Sequence, residues 1–190
     1  MQDAVVKAIV ELNVGRLPAV AVAFQQLLEG SWAHPAALAR LKRLTPSSSP
    51  TDICAALLKT FDDIHSAFPT AAFWWKDEES TFIGACPRIT AASGQPSPTG
   101  LLGITEGDGR LAWSRQSNLY RRDDRKVFES GRAALDILER QDRGSGTFWL
   151  RTSKVPYSSQ NGDVVLGGTV GGLDVVTEAE AQTLAARHRR

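Results

Sequence analysis

The feature that most constrains the fold is a change in hydrophobic periodicity near residue 69. Before this point apolar residues recur at helical spacing, which predicts helices near residues 2–13, 18–29, 35–44 and 51–67. After it, aromatic and valine-rich segments alternate with glycine, proline, serine and asparagine, a pattern typical of strands joined by turns. We therefore expect a helical first part followed by a β-rich second part.

The second part predicts five strands, with helices near 87–93 and 114–130 inserted after the second strand. The strands are expected at residues 72–76, 81–85, 134–140, 147–157 and 163–176. Asn161-Gly162 lies between the last two and predicts a hairpin, because both residues tolerate the positive φ of a type I′ turn. This order predicts an α+β fold, with a five-stranded antiparallel sheet and helices on one face.

The same pattern divides the chain into four parts. A helical N-terminal segment is expected over residues 1–48, and a linker with an amphipathic helix over 49–69. The linker begins in the Pro46–Pro50 stretch, where two prolines and three serines cannot continue a helix. The sheet-forming domain follows over 70–178, and the start of an exit helix or tail over 179–190.

The amphipathic helix carries an apolar stripe that must pack on something. Its members are spaced by four, four and three residues, so they share one helix face. A partner helix in a homodimer and the chain's own sheet are both candidates for the surface that covers it. We predict the dimer, with an interface formed by Ile53, Leu57, Phe61 and Ile64.

Composition limits the function. The 22 basic and 21 acidic residues leave a net charge of +1, and nucleic-acid binding needs a surplus of Lys and Arg. The two cysteines have no metal-ligand spacing and indicate a reduced, intracellular protein. No apolar run approaches the roughly 20 residues that span a bilayer. We therefore expect a cytoplasmic protein that binds no membrane and for which nucleic acid is an unlikely partner.

Segments of the second part, at matching spacing, resemble the PAS family of sensory domains over about residues 70–178. They are Phe73-Trp74-Trp75-Lys76-Asp77, Phe82-Ile83-Gly84, Leu102-Gly103-Ile104-Thr105 with Asp108 and Trp113, Thr152–Pro156 with Asn161-Gly162, and Leu173–Glu178. The chain departs from the family pattern where Cys86 replaces a helix-capping Asn. It also departs where the closing Asp position holds Val175 or is shifted to Asp174.

The resemblance implies a sensory or regulatory protein that works in signal transduction by binding a small molecule, by homodimerisation, or by both. A downstream signalling protein is a further implied partner. The residues expected to meet a ligand are Phe73, Trp75, Phe82, Tyr120, Phe148, Leu150 and Thr169. We predict no enzyme activity, no catalytic residue and no metal site.

The identity of a cofactor stays open, although two are disfavoured. Haem-binding relatives place a His on the long central helix, and residues 114–130 contain none; the histidines are His34, His65 and His188. Flavin light sensors carry an Asn-Cys-Arg-Phe-Leu run, which Cys86-Pro87-Arg88-Ile89 does not match.

Two alternative functions remain. Helices 18–29 and 35–44 could form a DNA-binding helix–turn–helix, but residues 1–69 hold six basic and six acidic residues, a poor balance for phosphate binding. The other alternative is a small-metabolite-binding protein without a signalling role.

Overall fold

The computed structural model describes residues 2–143 and 146–187; of the predicted exit helix or tail over 179–190, His188 and the two residues after it lie outside this range. The first part contains α1 (Gln2–Leu12), α2 (Leu17–Gly30), α3 (Pro35–Lys42) and α4 (Pro50–Ala67). The second part contains β1 (Ala72–Asp77), β2 (Phe82–Ala85), α5 (Pro87–Ala92), a 3-10 turn (Ser114–Gln116), α6 (Ser117–Ser130), β3 (Ala134–Arg143), β4 (Gly146–Asn161), β5 (Val164–Val176) and α7 (Glu178–Arg187).

The five strands form one antiparallel sheet in the order β2-β1-β5-β4-β3. The predicted α+β fold, with helices inserted after the second strand and an α-helical N-terminal segment, is confirmed. The central helix differs from the prediction at its start, because residues 114–116 form a 3-10 turn before α6 begins. It ends as predicted at Gly131, whose φ of 63° is the left-handed cap that favours glycine.

The β4–β5 hairpin forms, but its turn is displaced by one residue from the prediction. Asn161 pairs with Val164 as the last residue of β4, so the turn consists of Gly162 and Asp163. Gly162 has a φ of 62° and Asp163 has no positive φ. A glycine at the first central position is the requirement of a type II′ turn rather than of the predicted type I′ turn.

The N-terminal helices pack on one side of the sheet, which we call the outer face. Phe73 and Trp75 of β1 project from this face into an aromatic cluster with side chains from α2 and α4. The ring of Phe61 stacks on that of Phe73 with centroids 5.3 Å apart, and Phe24 meets Trp75 edge to face at 5.8 Å. Helices and sheet therefore share one hydrophobic core, and the domain limits drawn at residues 48 and 69 stay a prediction.

Aromatic side chains of β1 lie over glycines of the neighbouring strands. A Cβ added to Gly84 would lie 2.0 Å from the Trp75 ring, and one added to Gly171 would lie 2.6 Å from the Trp74 ring. Gly84 is the cross-strand partner of Trp75, and Gly171 is that of Trp74. The glycines inside the strands thus make room for bulky rings that cover the sheet.

The apolar stripe of α4 faces the chain's own core. The four side chains predicted to form a dimer interface are between 0% and 3% exposed; they are Ile53, Leu57, Phe61 and Ile64. These side chains therefore have almost no exposed surface with which a partner could make contact. The alternative surface, the protein's own sheet and helices, covers them because α2 and β1 supply aromatic groups on the same side.

A buried asparagine ties the end of α1 to the sheet. Asn13 is fully buried, and its amide nitrogen donates to the carbonyls of Ile9 and Ile83 at 2.6 Å each. Its amide oxygen accepts from Trp75 Nε1 at 2.8 Å. A single side chain thus satisfies polar groups from α1, β1 and β2 in a place that water does not reach.

Replacing Asn13 by alanine is expected to lower the free energy of unfolding by about 2–4 kcal/mol, because buried groups lose their partners. Urea denaturation followed by tryptophan fluorescence measures the change. Gln26 on α2 is an exposed amide with no hydrogen bond to the described residues, so Gln26→Ala is the control, with a change within about 0.5 kcal/mol. A loss at Asn13 no larger than that of the control would contradict the bridging role.

Candidate ligand cavity

A cavity of about 220 Å³ lies between the sheet and the helices that follow β2. It borders the inner face of the sheet, opposite the N-terminal helices. For comparison, an engineered apolar cavity of about 150 Å³ holds one benzene molecule. The apolar part of the wall consists of Ala72, Trp74, Phe82, Ile89, Ala92, Trp113, Leu150, Leu173 and Val175, and the polar part of Thr70, Arg88, Glu106, Tyr120, Glu139, Gln141, Thr152 and Lys154.

The predicted ligand-binding residues divide into two groups. Phe82, Tyr120 and Leu150 line the cavity. Phe73 and Trp75 do not, because they project from the outer face into the aromatic cluster with the N-terminal helices.

Phe148 and Thr169 are strand residues outside the cavity wall. Phe148 is half-buried and pairs with Gln141 of β3, whereas Thr169 is buried and pairs with Lys76 of β1. The structure therefore brings three of the seven predicted residues together at one cavity.

Strand alternation identifies the residue that the prediction missed in β1. Successive side chains of a strand point to opposite faces, so Phe73 and Trp75 share one face while Trp74 shares the other with Ala72 and Lys76. The aromatic run Phe73-Trp74-Trp75 does not itself indicate which face is the inner one. Trp74 lines the cavity only because the N-terminal helices cover the opposite face.

Four buried charged side chains form an ionic cluster beside the cavity. Lys76 Nζ contacts Glu106 Oε1 and lies 2.8 Å from Asp124 Oδ2. Lys154 Nζ lies 2.6 Å from Asp124 Oδ1 and also donates to the carbonyl of Tyr120 at 3.2 Å. Each of the four residues is at most 5% exposed. The cluster joins β1, β4, α6 and the loop that precedes α6.

Opposite charges in the ionic cluster favour the charged forms of Asp124 and Lys76. Burial raises the pKa of the Asp124 carboxyl, but attraction by Lys76 and Lys154 outweighs this effect and leaves the pKa below its usual value. Burial likewise disfavours the charged form of Lys76, yet Asp124 and Glu106 raise the pKa of this amine. Asp124 and Lys76 thus stabilise each other's charged form inside the protein.

Three side chains of the cavity wall carry buried polar atoms without a hydrogen-bond partner among the described residues. They are the indole nitrogen of Trp74, Nε of Arg88 and one carboxyl oxygen of Glu139. The other Glu139 oxygen accepts from Thr152 Oγ1 at 2.8 Å. Burial raises the pKa of Glu139, an effect that the Lys154 charge and this hydrogen bond reduce. Unpaired buried polar atoms cost free energy, which a ligand with matching groups recovers.

The described histidines and the two cysteines, which could serve a cofactor, lie outside the cavity wall or are buried. His34 caps α3 by accepting from the amide of Ala37, and His65 of α4 contacts Arg88. Cys54 and Cys86 are buried free thiols, and burial raises the pKa of Cys54 to about 11. Within residues 2–143 and 146–187, no cluster of three or more His, Cys, Asp or Glu side chains could hold a metal ion. The helices described in these ranges include none that could cross a membrane.

The fold and the cavity together define the class. A five-stranded antiparallel sheet, with helices inserted after β2 and a cavity between them and the inner face, is the PAS-like architecture that the sequence predicts. No protein-family model matches the sequence, and no curated protein matches it.

Solved structures show the likeness of fold in particular proteins. The chain is similar to VqmA of Vibrio cholerae, with 17% identity, a TM-score of 0.50, and coverage of 63% of this chain and 52% of that one. It is also similar to phage VqmA in its complex with DPO, with 18% identity, a TM-score of 0.50, and coverage of 71% and 60%. The PAS domain of BvgS from Bordetella pertussis has 15% identity, a TM-score of 0.45, and coverage of 69% and 96%.

The aligned part spans about half to three-fifths of the two VqmA chains. At these identities the likeness concerns the fold alone.

Proposed function

We propose that this chain is a cytoplasmic, non-enzymatic regulatory protein that senses a small molecule in its inner-face cavity. The cavity carries the proposal, because its largely apolar wall includes three side chains with unpaired buried polar atoms. A pocket with an apolar lining and few polar groups is the usual form of a small-molecule site. The expected ligand is small, mostly apolar, and has at least one hydrogen-bonding group.

Ligand binding can change the rest of the molecule through β1 and α6. In β1, Trp74 faces the cavity while its neighbours Phe73 and Trp75 pack against the N-terminal helices. In α6, Tyr120 lines the cavity while Asp124 belongs to the ionic cluster. A ligand that binds better to one arrangement of these elements shifts the population toward it, and a downstream protein or a homodimer could respond.

The test is binding of DPO and of a panel of small heterocycles; DPO is included because phage VqmA, which has a similar fold, forms a complex with it. Thermal unfolding and titration calorimetry measure the binding. At least one compound is expected to raise the melting temperature of the wild-type protein and to release or absorb heat on titration.

A pair of variants separates the cavity from the surface of the same helix. Ala92→Leu adds bulk to the cavity wall, whereas Ala91→Leu adds it to an exposed position that does not line the cavity. The stabilisation by ligand should persist in Ala91→Leu and disappear in Ala92→Leu. If neither this panel nor a set of small organic acids and their amides binds, or if both variants bind equally, the proposal fails.

A DNA-binding regulator is the second candidate, because VqmA of Vibrio cholerae, which shares this fold, has a target DNA. The basic residues of α3 weigh against this function in the present chain. Arg40 pairs with Asp63, and Lys42 Nζ lies 2.5 Å from Glu29. Cations that already have acidic partners are poor ligands for phosphates. Retention on a DNA column that falls steeply with added salt would favour this candidate.

The other alternative is a metabolite-binding protein without a signalling role. Such a protein would bind a ligand without any change in helix packing.

A further inference from the structure

Arg88 lies at the boundary between the cavity and the outside. Its side chain lines the inner cavity and also an open groove between α4 and α5. The helix α5 leaves β2 beside Phe73, since the amide of Cys86 donates to the Phe73 carbonyl at 2.8 Å. Arg88 is therefore at the Ala72 end of β1, away from the ionic cluster at Lys76.

The positive charge of Arg88 has no acidic partner in the part of the chain that the structure describes. Its Nη2 contacts Nε2 of His65, and its buried Nε has no hydrogen-bond partner. By contrast Lys154, the other cation of the cavity wall, pairs with Asp124. A half-buried cation without a counter-charge is unfavourable, and an anion beside it would offset the cost.

The surroundings of Arg88 are suited to the rest of such a ligand. Ala72, Ile89, Leu173 and Val175 line the cavity at this end. The acidic Glu139 is on β3, three strands from β1 and thus about 14 Å across the sheet. An anionic group is favoured beside Arg88 and disfavoured beside Glu139, where a neutral part of the ligand fits instead.

We propose that the ligand sensed in this cavity is a small monocarboxylic acid, whose carboxylate binds Arg88 and whose apolar body lies along the inner face of the sheet. This inference rests on the proposed function and names the chemical class of its ligand. Charge-assisted pairing of a guanidinium with a carboxylate is stronger and more directional than a neutral hydrogen bond.

Benzoate, phenylacetate and hexanoate are the probes, each compared with its own primary amide at pH 7 by titration calorimetry. Each amide has nearly the shape of its acid but no charge. At least one acid is expected to bind about 10- to 100-fold more tightly than its amide. Arg88→Leu should remove this difference by weakening the acid alone, and Arg88→Lys should keep part of it, because lysine retains the charge without the planar fork. Arg43→Leu, which removes an exposed arginine with no acidic partner among the described residues, should leave both affinities unchanged.

The outcomes distinguish the ligand class from the function itself. Amides or neutral heterocycles that bind as tightly as the acids would overturn the carboxylate proposal and leave the sensing function intact. Acid binding that survives in Arg88→Leu would also overturn it. If neither acids, amides nor heterocycles bind, the sensing function and the ligand class fail together.

Discussion

Replacing Asp124 by alanine is expected to lower the free energy of unfolding by about 3–5 kcal/mol. The variant leaves Lys76 and Lys154 buried at one site without the carboxylate that both of them contact. Urea denaturation followed by circular dichroism measures the loss. Asp123→Ala is a matched control, since Asp123 precedes Asp124 on the same helix but, among the described residues, forms an ion pair only with the exposed Arg122, at 3.4 Å. The control should change the stability by less than about 1 kcal/mol.

A second variant tests whether the unpaired charges cause the loss. Replacing the whole cluster by Lys76→Met, Glu106→Gln, Asp124→Leu and Lys154→Met should restore most of the stability, because no charge of the cluster is then left buried alone. A quadruple variant as unstable as Asp124→Ala would show that packing, and not charge, is responsible. An Asp124→Ala variant as stable as its control would contradict the role of the cluster.

The ionic cluster also sets a pH window for stability. The pKa of Asp124 is lowered by folding, so its contribution is present above the unfolded value of about 3.9 and is lost as the pH falls through the lower folded value. The pKa of Lys76 is raised, so its contribution is present below about 10.4 and is lost as the pH rises through the higher folded value. The effect of pH on the Glu139 contribution to stability is opposite to that for Asp124. Because the pKa of Glu139 is raised, its contribution declines as the pH rises above about 4.3.

Replacing Leu57 by glutamate should unfold most of the protein rather than dissociate a dimer. Leu57 is 0% exposed, and truncating a buried leucine to alanine already costs about 2–5 kcal/mol. A buried unpaired carboxylate adds to this cost. The total approaches the free energy of unfolding of a typical domain, which is roughly 5–15 kcal/mol. Val22→Glu on α2 is the control, because Val22 is 51% exposed.

Circular dichroism and light scattering on the same samples separate the two explanations. The glutamate at position 57 should abolish the cooperative thermal transition, whereas the Val22 variant should fold like the wild type. A folded Leu57→Glu protein whose mass falls from dimer to monomer would instead restore the predicted interface.

The elements of this fold could be predicted from the sequence because their signals are local. The α4 stripe, the left-handed cap at Gly131 and the hairpin at Gly162 each depend on residues within a few positions of one another. Even there, the exact turn position depended on strand pairing. Asn161 was predicted at the centre of the turn, but it pairs with Val164 and so remains in β4.

The candidate site could be predicted only in part, because its members come from distant segments. Lys76 meets Glu106 and Asp124, which lie 30 and 48 residues further along the chain. No spacing rule connects these positions, and a lysine inside a strand gives no sign of burial until its partners are known. Arg88 was singled out only as part of a run that does not match a flavin site, and its lack of an acidic partner is a property of the assembled structure.

Local chemistry thus determined the helices, strands and turns, since periodicity and backbone preference act within a few residues. The tertiary structure alone decided which side of each amphipathic element is covered, and by what. The apolar stripe of α4 packs against the chain's own core rather than a partner. The N-terminal helices cover the face of Phe73 and Trp75, so Trp74 lines the cavity. The physical reason is that burial is not directional: an apolar surface gains the same free energy against any apolar neighbour, so the identity of that neighbour is set by the whole assembly.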